Sequence, residues 1–162
     1  MVKRHIAEYL ERKGVEWHAR AHPRRVTAQE IAASMHVSGK RFAKTVVVEH
    51  EGRLALAVLP AHEDVDLTRL AAVFGPDVRL AREETFESRF GDCEIGAMPP
   101  LGELYGMEVV VDAHLAGEPS VLFNGGTHED TIEMPWGEFE GMHPVRVVDF
   151  GRAERGAAAR AA

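Results

Sequence analysis

The spacing of apolar positions along the chain predicts several amphipathic helices. Apolar residues recur at helical spacing over residues 5–13, and Gly14 follows as a stop signal. Thr27 stands three residues before Glu30, which is the pattern of a capping box, so a second helix should begin there and end near residues 37–39. Further helices are predicted over residues 67–74, with Asp66 as the cap, 83–90 and 136–142.

Runs of consecutive apolar residues predict a β-hairpin at the centre of a sheet. Residues 42–49 and 53–59 are rich in Val, Leu and Ala, and residues 50–52 form the turn between them. The interiors of both runs are apolar at successive positions, which is typical of strands buried on both faces. Further strands are predicted over residues 15–19, 78–81, 108–111, 121–124, 131–134 and 146–150.

The order of these elements predicts an α+β fold with one domain over residues 1–150. Helices and strands alternate without a regular βαβ pattern, which favours a mixed central β-sheet with flanking helices. Residues 91–106 contain four Gly and two Pro and are predicted to form a long loop with special backbone demands. Residues 151–162 contain only Ala, Gly and Arg apart from Glu154, a composition that predicts a flexible tail outside the core.

The composition excludes several classes of protein. The chain has 162 residues, of which 45% are hydrophobic and 28% charged, and this fits one globular domain. Its apolar runs are far shorter than the roughly 20 residues of a membrane-spanning helix, and residues 1–20 lack the apolar stretch of a secretory signal. We therefore expect a cytoplasmic protein with no membrane association. Cys93 is the only cysteine, so an internal disulfide is excluded and an inert, packed thiol is expected.

The net charge of −7 hides an asymmetry between the two parts of the chain. Residues 1–53 contain 11 Lys and Arg against 6 Asp and Glu, whereas residues 54–162 contain 8 against 20. Two interpretations remain open. The basic third presents a local phosphate-binding face, since counterion release depends on local contacts, or its charges are scattered, solvated side chains.

Motifs for metal-dependent or nucleophilic catalysis are missing from the sequence. The nine His are dispersed, without an H-E-x-x-H or H-x-H pattern. His128, Glu129 and Asp130 come closest to a metal cluster, but three adjacent side chains cannot all point one way on a regular element. The sequence contains neither a G-x-S-x-G elbow nor a G-x-x-x-x-G-K phosphate loop. We therefore expect no metal and no cofactor.

Two features remain as candidates for chemistry. Lys44 is the only Lys or Arg in the apolar run 42–48, so it is either a strand-end residue that reaches solvent or an anion-binding residue at the floor of a pocket. Residues 96–102 read G-A-M-P-P-L-G, a G-x-x-x-P-x-G loop whose backbone path is tightly restricted. Such a loop is either a structural turn or a cradle of N–H groups for a carbonyl oxygen or a phosphate.

These features occur in an order that resembles the YbaK and prolyl-tRNA-synthetase-associated editing family. The resemblance covers roughly residues 1–150 and rests on A-K-T-V-V-V at 43–48, the loop at 96–102, the strand ending in Asp112, N-G-G at 124–126 and I-E-M at 132–134. It implies hydrolysis of the ester that joins a wrong amino acid to tRNA. The chain is similar to the stand-alone members, which act in trans, and a small amino acid such as Ala, Cys, Ser or Thr is expected as the substrate.

The resemblance also implies roles for individual residues. Lys44 would contact the terminal-adenosine region of the tRNA, while the loop with Gly96, Pro100 and Gly102 would position the ester, and a hydroxyl of the terminal ribose would assist hydrolysis. The implied substrate-binding residues are His22, Thr45, Ala97, Met98, Pro99, Gly125, Gly126, His128 and Thr131. The expected partners are the acceptor end of a tRNA and, as a second candidate, an aminoacyl-tRNA synthetase. The rival class is a non-catalytic binding module with the same fold.

Two of these positions depart from the pattern of the cysteine-clearing relatives. Those proteins have Tyr where this chain has His22, and Asp where it has Thr131. Both positions are expected to contact the aminoacyl pocket, so the identity of the amino acid stays open, and the oligomeric state has no signal in the sequence.

Overall fold

The computed structural model describes residues 1–154, so most of the predicted tail, residues 155–162, lies outside the described residues. The helices are α1 (Arg4–Lys13), α2 (Ala28–Ser34), α3 (Leu67–Phe74), α4 (Glu83–Phe86), a 3-10 turn (Glu87–Phe90), α5 (Gly102–Tyr105), α6 (Ala113–Ala116) and α7 (Trp136–Met142). The strands are β1 (His18–Ala21), β2 (Ala43–His50), β3 (Arg53–Pro60), β4 (Glu63–Val65), β5 (Arg79–Leu80), β6 (Glu108–Asp112), β7 (Ser120–Asn124), β8 (Asp130–Pro135), β9 (Arg146–Val148) and β10 (Gly151–Ala153).

The central sheet has five strands in the order β5-β2-β3-β6-β9. The β2–β3 hairpin and the β2–β5 pair are antiparallel, whereas β3–β6 and β6–β9 are parallel. A second, antiparallel sheet has the order β1-β8-β7, and a bridge between Phe42 and Leu122 connects it to the start of the hairpin. The predicted α+β class with a mixed sheet is therefore confirmed.

The hairpin lies at the centre of the core, as its apolar pattern predicts. The side chains of β3 are buried from Ala55 to Pro60, because one face packs under α1 and α7 and the other under α3. In β2, Val47 and Val48 are buried on opposite faces, but Thr45 and Val46 are partly exposed since β5 covers only the far end of this strand. The open part of β2 is where Lys44 lies.

Local signals for the helices are accurate where a capping side chain is present. Thr27 and Glu30 form the predicted capping box, and Asp66 accepts hydrogen bonds from the N–H groups of Thr68 and Arg69 at the start of α3. Several other predicted elements differ from the structure in their bounds or type. The first strand begins at His18, the helix over 83–90 divides into α4 and a 3-10 turn, the loop over 91–106 contains α5, and β4 and α6 were not predicted.

The prediction of a flexible tail from residue 151 is wrong for its first three residues. Gly151–Ala153 form β10, which pairs with β4 in an antiparallel ladder. Gly151 is buried, and its N–H group and that of Phe150 donate to the Asp112 carboxylate at 2.8 and 3.0 Å. Composition alone missed this strand because Ala, Gly and Arg carry no strand signal, while the pairing depends on the free edge of β4.

Two buried carboxylates and one histidine hold β10 against the body of the protein. His114 Nδ1 lies 2.8 Å from Asp112 Oδ2 and 2.9 Å from Glu63 Oε1. The charges of Asp112 and Glu63 raise the pKa of His114, and burial together with the charge of Asp112 raises the pKa of Glu63. A proton on His114 therefore offsets the repulsion between two carboxylates that lie side by side.

This arrangement predicts a pH-dependent contribution of His114 to stability. Because the pKa of His114 is raised in the folded protein, the contribution is complete below about 6.5, the value for the unfolded chain, and is lost as the pH rises through the folded value. The half-exposed ring is screened by solvent, so we expect at most about 1 kcal/mol, or a loss of about 2–4 °C in Tm for His114→Gln at pH 6. The difference from the wild type should shrink as the pH rises above 6.5 and through the raised pKa of the folded protein.

Thermal unfolding of both proteins across this pH range checks the prediction. Burial lowers the pKa of His143 to about 4, so the contribution of His143 to stability changes with pH in the opposite direction. The measured quantity is therefore the difference in Tm between wild type and variant at each pH. His36→Asn is the matched control, since His36 is exposed and Asn tolerates its positive φ of 56°. A constant difference between His114→Gln and wild type at all pH values would contradict the bridging role.

Candidate functional site

A cavity of about 320 Å³ brings together Lys44, Thr45 and Gly96, which are distant in the sequence. Its walls come from the start of α2, the open end of β2 and the loop before α5, and Glu154 completes them. The pairing of β2 with β3 places Lys44 opposite Leu59, at the end of the hairpin that α2 covers. The structure thus assembles one recess from the two features that the sequence singled out.

Lys44 lies at the boundary between this recess and a second one. The second cavity, of about 400 Å³, is lined by Lys44, Asp64 and Arg152 among others. The Lys44 side chain is 24% exposed, and its Nζ lies 3.7 Å from Asp64 Oδ1, while the Asp64 side chain is 40% exposed. An ion pair this long and this well solvated holds the ammonium group weakly. The charge of Lys44 therefore stays available to a ligand in either cavity.

Thr45 presents an unpaired hydroxyl group beside Lys44. Its Oγ1 atom is buried, and among residues 1–154 it has no hydrogen-bond partner. A buried hydroxyl without a partner is costly, and a ligand or a water molecule in the recess can satisfy it.

The loop at Gly96 has the backbone conformation that only glycine adopts easily. Gly96 has a φ of +87°, and a Cβ atom at this position would lie 3.3 Å from Cε1 of His128. Its N–H group points toward Sδ of Met98 at 3.2 Å, whereas the N–H group of Ala97 donates to the carbonyl of Glu94. Because a thioether is a weak acceptor, the N–H group of Gly96 is the more easily redirected of the two.

The turn that follows β7 supports this loop from behind. Gly126 donates its N–H to the carbonyl of Ala97 and accepts from the N–H of Glu94. His128 donates its N–H to the Glu94 carboxylate at 2.7 Å, and its Nε2 lies 3.0 Å from the carbonyl oxygen of Ile95. These bonds fix the path of residues 94–97 from two sides.

Three of the implied substrate-binding residues belong to this support. Gly125 and Gly126 pack under the N-terminus of α1, where a Cβ atom on Gly126 would lie 2.5 Å from Cγ of Lys3. Gly126 also has a φ of +94°, so the sequence requires glycine here for the backbone and for the packing. Together with His128, these residues shape the loop and do not line the recess.

The remaining residues of the 96–102 loop are buried as well. Ala97, Met98, Pro99 and Pro100 lie in the interior, and a Cβ atom on Gly102 would clash with Met107 and Val109. Gly102 is thus explained by close packing of α5 against the start of β6. Of the loop residues assigned to chemistry by the sequence, only Gly96 reaches the recess.

The two positions that depart from the relatives contact each other. His22 Nε2 lies 2.9 Å from the hydroxyl of Thr131, and His22 Nδ1 lies 2.9 Å from the carbonyl oxygen of Pro23. A ring with its proton on Nδ1 satisfies both contacts, since it donates to Pro23 and accepts from Thr131. This polar pair is absent from the lining of the recess.

The basic character of the N-terminal third is partly neutralised within the fold. Arg20 and Arg41 both pair with Glu133, at 3.0 and 3.2 Å, and Arg41 also donates to Ser120. Arg24 pairs with Glu94 at 3.0 Å. The interpretation of these residues as solvated, scattered charges is wrong for Arg41, whose guanidinium joins β8 to the start of β2.

The side chains of His128, Glu129 and Asp130, for which the sequence argues against a metal cluster, turn to different partners. Nε2 of His128 contacts the Ile95 carbonyl, Asp130 pairs with the N-terminal ammonium group and Thr127, and Glu129 is exposed. Within residues 1–154, ligand atoms of Glu63, Asp112 and His114 do come within 4.8 Å of one another. That set has the composition of a candidate metal site and is also the contact that supports β10. The sequence did not reveal it because Glu63 is distant in the chain from Asp112 and His114.

Cys93 lies beside the loop but is not activated. Its Sγ is 3.5 Å from the hydroxyl of Tyr105 and 3.9 Å from Nε2 of His5. Burial raises the pKa of the thiol, so the neutral form dominates at physiological pH. A packing role accounts for this residue.

The fold and the recess define a class of small α+β domain in which a strand lysine faces a glycine loop across one cavity. Residues 22–141 match the aminoacyl-tRNA editing domain family, and the chain belongs to this family. No helix within residues 1–154 is long and apolar enough to cross a membrane.

Individual proteins show the same similarity. The chain is 24% identical over 130 residues to the proline–tRNA ligase of Bacillus mycoides (strain KBAB4), a match that covers 78% of this chain and 20% of the ligase. It therefore spans about a fifth of the length of that relative. Crystal structures of the hypothetical protein APE2540 and of a candidate trans-editing enzyme for prolyl tRNA synthetase share its fold. APE2540 superposes with a TM-score of 0.83 and 24% identity, and the match covers 92% of this chain and 100% of APE2540. The candidate trans-editing enzyme superposes with a TM-score of 0.81 and 23% identity, and the match covers 93% of this chain and 96% of that enzyme.

Three charged residues of the two cavities were not predicted as site residues from the sequence. Asp64, Arg152 and Glu154 lie on or next to β4 and β10, the two strands that were not predicted. For Arg152 and Glu154 the available signal was the presence of charged residues in a segment that is otherwise Ala and Gly.

Proposed function

We propose that this protein hydrolyses the ester bond between a small amino acid and a tRNA to which it was wrongly attached, acting in trans. The single observation that carries the proposal is the recess shared by Lys44 and Gly96, in a chain that belongs to the editing family. The ligase and the candidate trans-editing enzyme are linked by their names to prolyl-tRNA synthesis, which supports a tRNA substrate.

The chemistry follows from the groups that face the recess. In the proposed complex the Lys44 ammonium attracts a phosphate near the 3′ end of the tRNA, and the aminoacyl ester occupies the recess beside Thr45 and Gly96. The Gly96 N–H, which points to Met98 Sδ in this structure, turns to the ester carbonyl. Water attacks the carbonyl carbon and forms a tetrahedral oxyanion, the bond to the ribose oxygen breaks, and the proton lost by water passes to that oxygen. The neighbouring ribose hydroxyl assists the proton transfer in this proposal, because the one carboxylate among the described residues of the recess, that of Glu154, already accepts a hydrogen bond from Gln29 at 2.8 Å.

The proposed reaction uses neither a metal nor a cofactor. Substrate activation comes from the adjacent ribose hydroxyl and from fixed donors, a combination that needs no Lewis acid. The volume of about 320 Å³ must hold the amino acid together with part of the terminal nucleoside, which favours Ala, Cys, Ser or Thr. Such a recess selects by excluding bulk, because an extra methylene changes binding by only about 1–3 kcal/mol.

A non-catalytic binding module is the second candidate. It is favoured by the engagement of the loop donors, since Ala97 donates to Glu94 and Gly96 points to Met98. In that case the same recess would hold an aminoacyl end without accelerating its hydrolysis. Either function implies binding of the tRNA acceptor end, cooperation with a synthetase as a further partner, and action in the cytoplasm, where charged tRNA is used.

A panel of mischarged tRNAs tests the proposal. One tRNA carrying Ala, Cys, Ser or Thr is incubated with the protein in excess EDTA, with the correctly charged tRNA as the control, and loss of the ester is followed. We expect at least one small aminoacyl ester to be cleaved well above the buffer rate while the correct ester survives. Activity that EDTA abolishes and zinc restores would contradict the metal-free mechanism.

A further inference from the structure

The second cavity beside Lys44 has the character of an anion site. It lies between the open end of β2, the start of α3 and the β4–β10 pair, and Lys44 lines it as well as the recess of Gly96. Lys44 and Arg152 supply positive charge to it. A ligand that extends from one cavity to the other would therefore pass the Lys44 ammonium group.

The register of the two short strands places Arg152 on the side of Lys44. Arg152 is directly opposite Asp64 in the antiparallel β4–β10 ladder, and directly opposed residues project from the same face of a sheet. Asp64 in turn lies 3.7 Å from the Lys44 ammonium. Glu63 projects from the other face, where it joins the contact with Asp112 and His114 and lies against the backbone of Gly151.

Two positive and two negative side chains line this cavity, but they are not equally available to a ligand. Asp66 accepts two backbone N–H groups in the first turn of α3 and pairs with Arg69 at 3.7 Å, whereas Lys44 and Arg152 face only Asp64 among the remaining charged residues of the lining. Arg152 forms no ion pair with any residue from 1 to 154, and its side chain is exposed. An unengaged guanidinium next to an ammonium group suits a singly charged oxyanion, which the guanidinium can bind through two N–H groups.

We propose that Arg152 and Lys44 together bind the phosphodiester that links the terminal nucleotide of the tRNA to the preceding one. The C-terminal strand β10 is then part of the substrate-binding site. This inference rests on the proposed function, because it takes the aminoacyl ester to occupy the recess of Gly96 on the other side of Lys44. Arg152 contacts the substrate away from the reacting carbonyl, so its contribution is to binding and positioning.

The test compares two substrates that differ in the phosphodiester. The first is the mischarged tRNA, and the second is the same amino acid esterified to free adenosine, which has no phosphodiester. For Arg152→Ala we expect KM for the tRNA to rise about tenfold with kcat little changed, and equal rates for wild type and variant on the adenosine ester. The plot of log kcat/KM against log salt for the tRNA should become shallower by about 0.7, as expected for one lost single-strand phosphate contact.

Matched variants separate this contact from general effects. Arg146→Ala removes the same charge from β9, where Arg146 pairs with Glu108 at 3.5 Å, and should leave KM unchanged. Arg152→Lys should recover part of the loss. Equal KM values for Arg152→Ala and wild type, or an equal loss on the adenosine ester, would overturn the phosphate contact. A wild-type protein that cleaves neither ester would instead overturn the proposed function itself.

Discussion

Lys44→Ala is expected to lower kcat/KM for a mischarged tRNA by about 10- to 100-fold while the protein stays folded. The ammonium group lies at the junction of both cavities, and within residues 1–154 its ion pair is the 3.7 Å contact with Asp64. A hydrogen bond to a charged group contributes about 1.5–3 kcal/mol, and each 1.36 kcal/mol is a factor of ten in rate. The lost ion pair is solvated, so the free energy of unfolding should fall by less than about 1 kcal/mol.

Kinetics and thermal unfolding on the same preparation check this prediction. Lys13→Ala is the matched control, because the Lys13 side chain is 29% exposed and pairs with Glu103 at 2.8 Å, away from both cavities. Lys44→Arg should retain part of the activity, since it keeps the charge. Full activity in Lys44→Ala would remove Lys44 from the site, and unfolding of that variant would make it a structural residue.

Gly96→Ala is expected to reduce kcat/KM by at least tenfold with only a modest loss of stability. The positive φ of 87° costs an alanine about 1–2 kcal/mol, and its methyl group would meet Cε1 of His128 at 3.3 Å. Removal of one positioned donor for an oxyanion typically costs about 2.7–4 kcal/mol in the barrier, so a shifted N–H affects the rate more than the fold. We therefore expect Tm to fall by about 2–8 °C.

The control for this substitution is another glycine with the same backbone demand. Gly14 ends α1 with a φ of +66°, and among residues 1–154 no atom beyond its own chain neighbours and the backbone of α1 lies within 4 Å of the position of its Cβ. Gly14→Ala should lose a comparable amount of stability and no activity. If both variants lose stability and activity in the same proportion, the Gly96 loop is only a demanding turn and its role at the ester must be abandoned.

The sequence was sufficient for elements whose signals are local. Asp66 and Thr27 mark helix starts because their side chains accept hydrogen bonds from the first free N–H groups of the helix. Two apolar runs on either side of a short turn predict the β2–β3 hairpin. The joining of Lys44 and Gly96 in one recess is different. No sequence signal near Lys44 or Gly96 indicates that the two residues share a cavity. Only the resemblance to the editing family implies it.

The elements that the sequence missed depend on distant partners. Strand β10 forms because β4 has a free edge and because Asp112 accepts hydrogen bonds from the N–H groups of Phe150 and Gly151. Neither feature can be seen in the sequence of the Ala- and Gly-rich segment itself. Gly102 and Gly126 also meet a packing demand that the sequence does not show, because a Cβ atom would clash with the Met107 carbonyl oxygen or lie 2.5 Å from Lys3 Cγ. The catalytic and substrate-binding roles that the family resemblance implies for these two glycines stay predictions.

The lifetime of the ester under single-turnover conditions shows whether this protein is a deacylase. Protein in excess is mixed with a tRNA mischarged with each small amino acid, and intact ester and bound tRNA are measured together over time. We expect at least one ester to disappear much faster than in buffer, with free amino acid and intact tRNA as the products. Saturable binding of every tRNA with unchanged ester lifetimes would contradict the proposed hydrolysis and would identify the protein as a binding module.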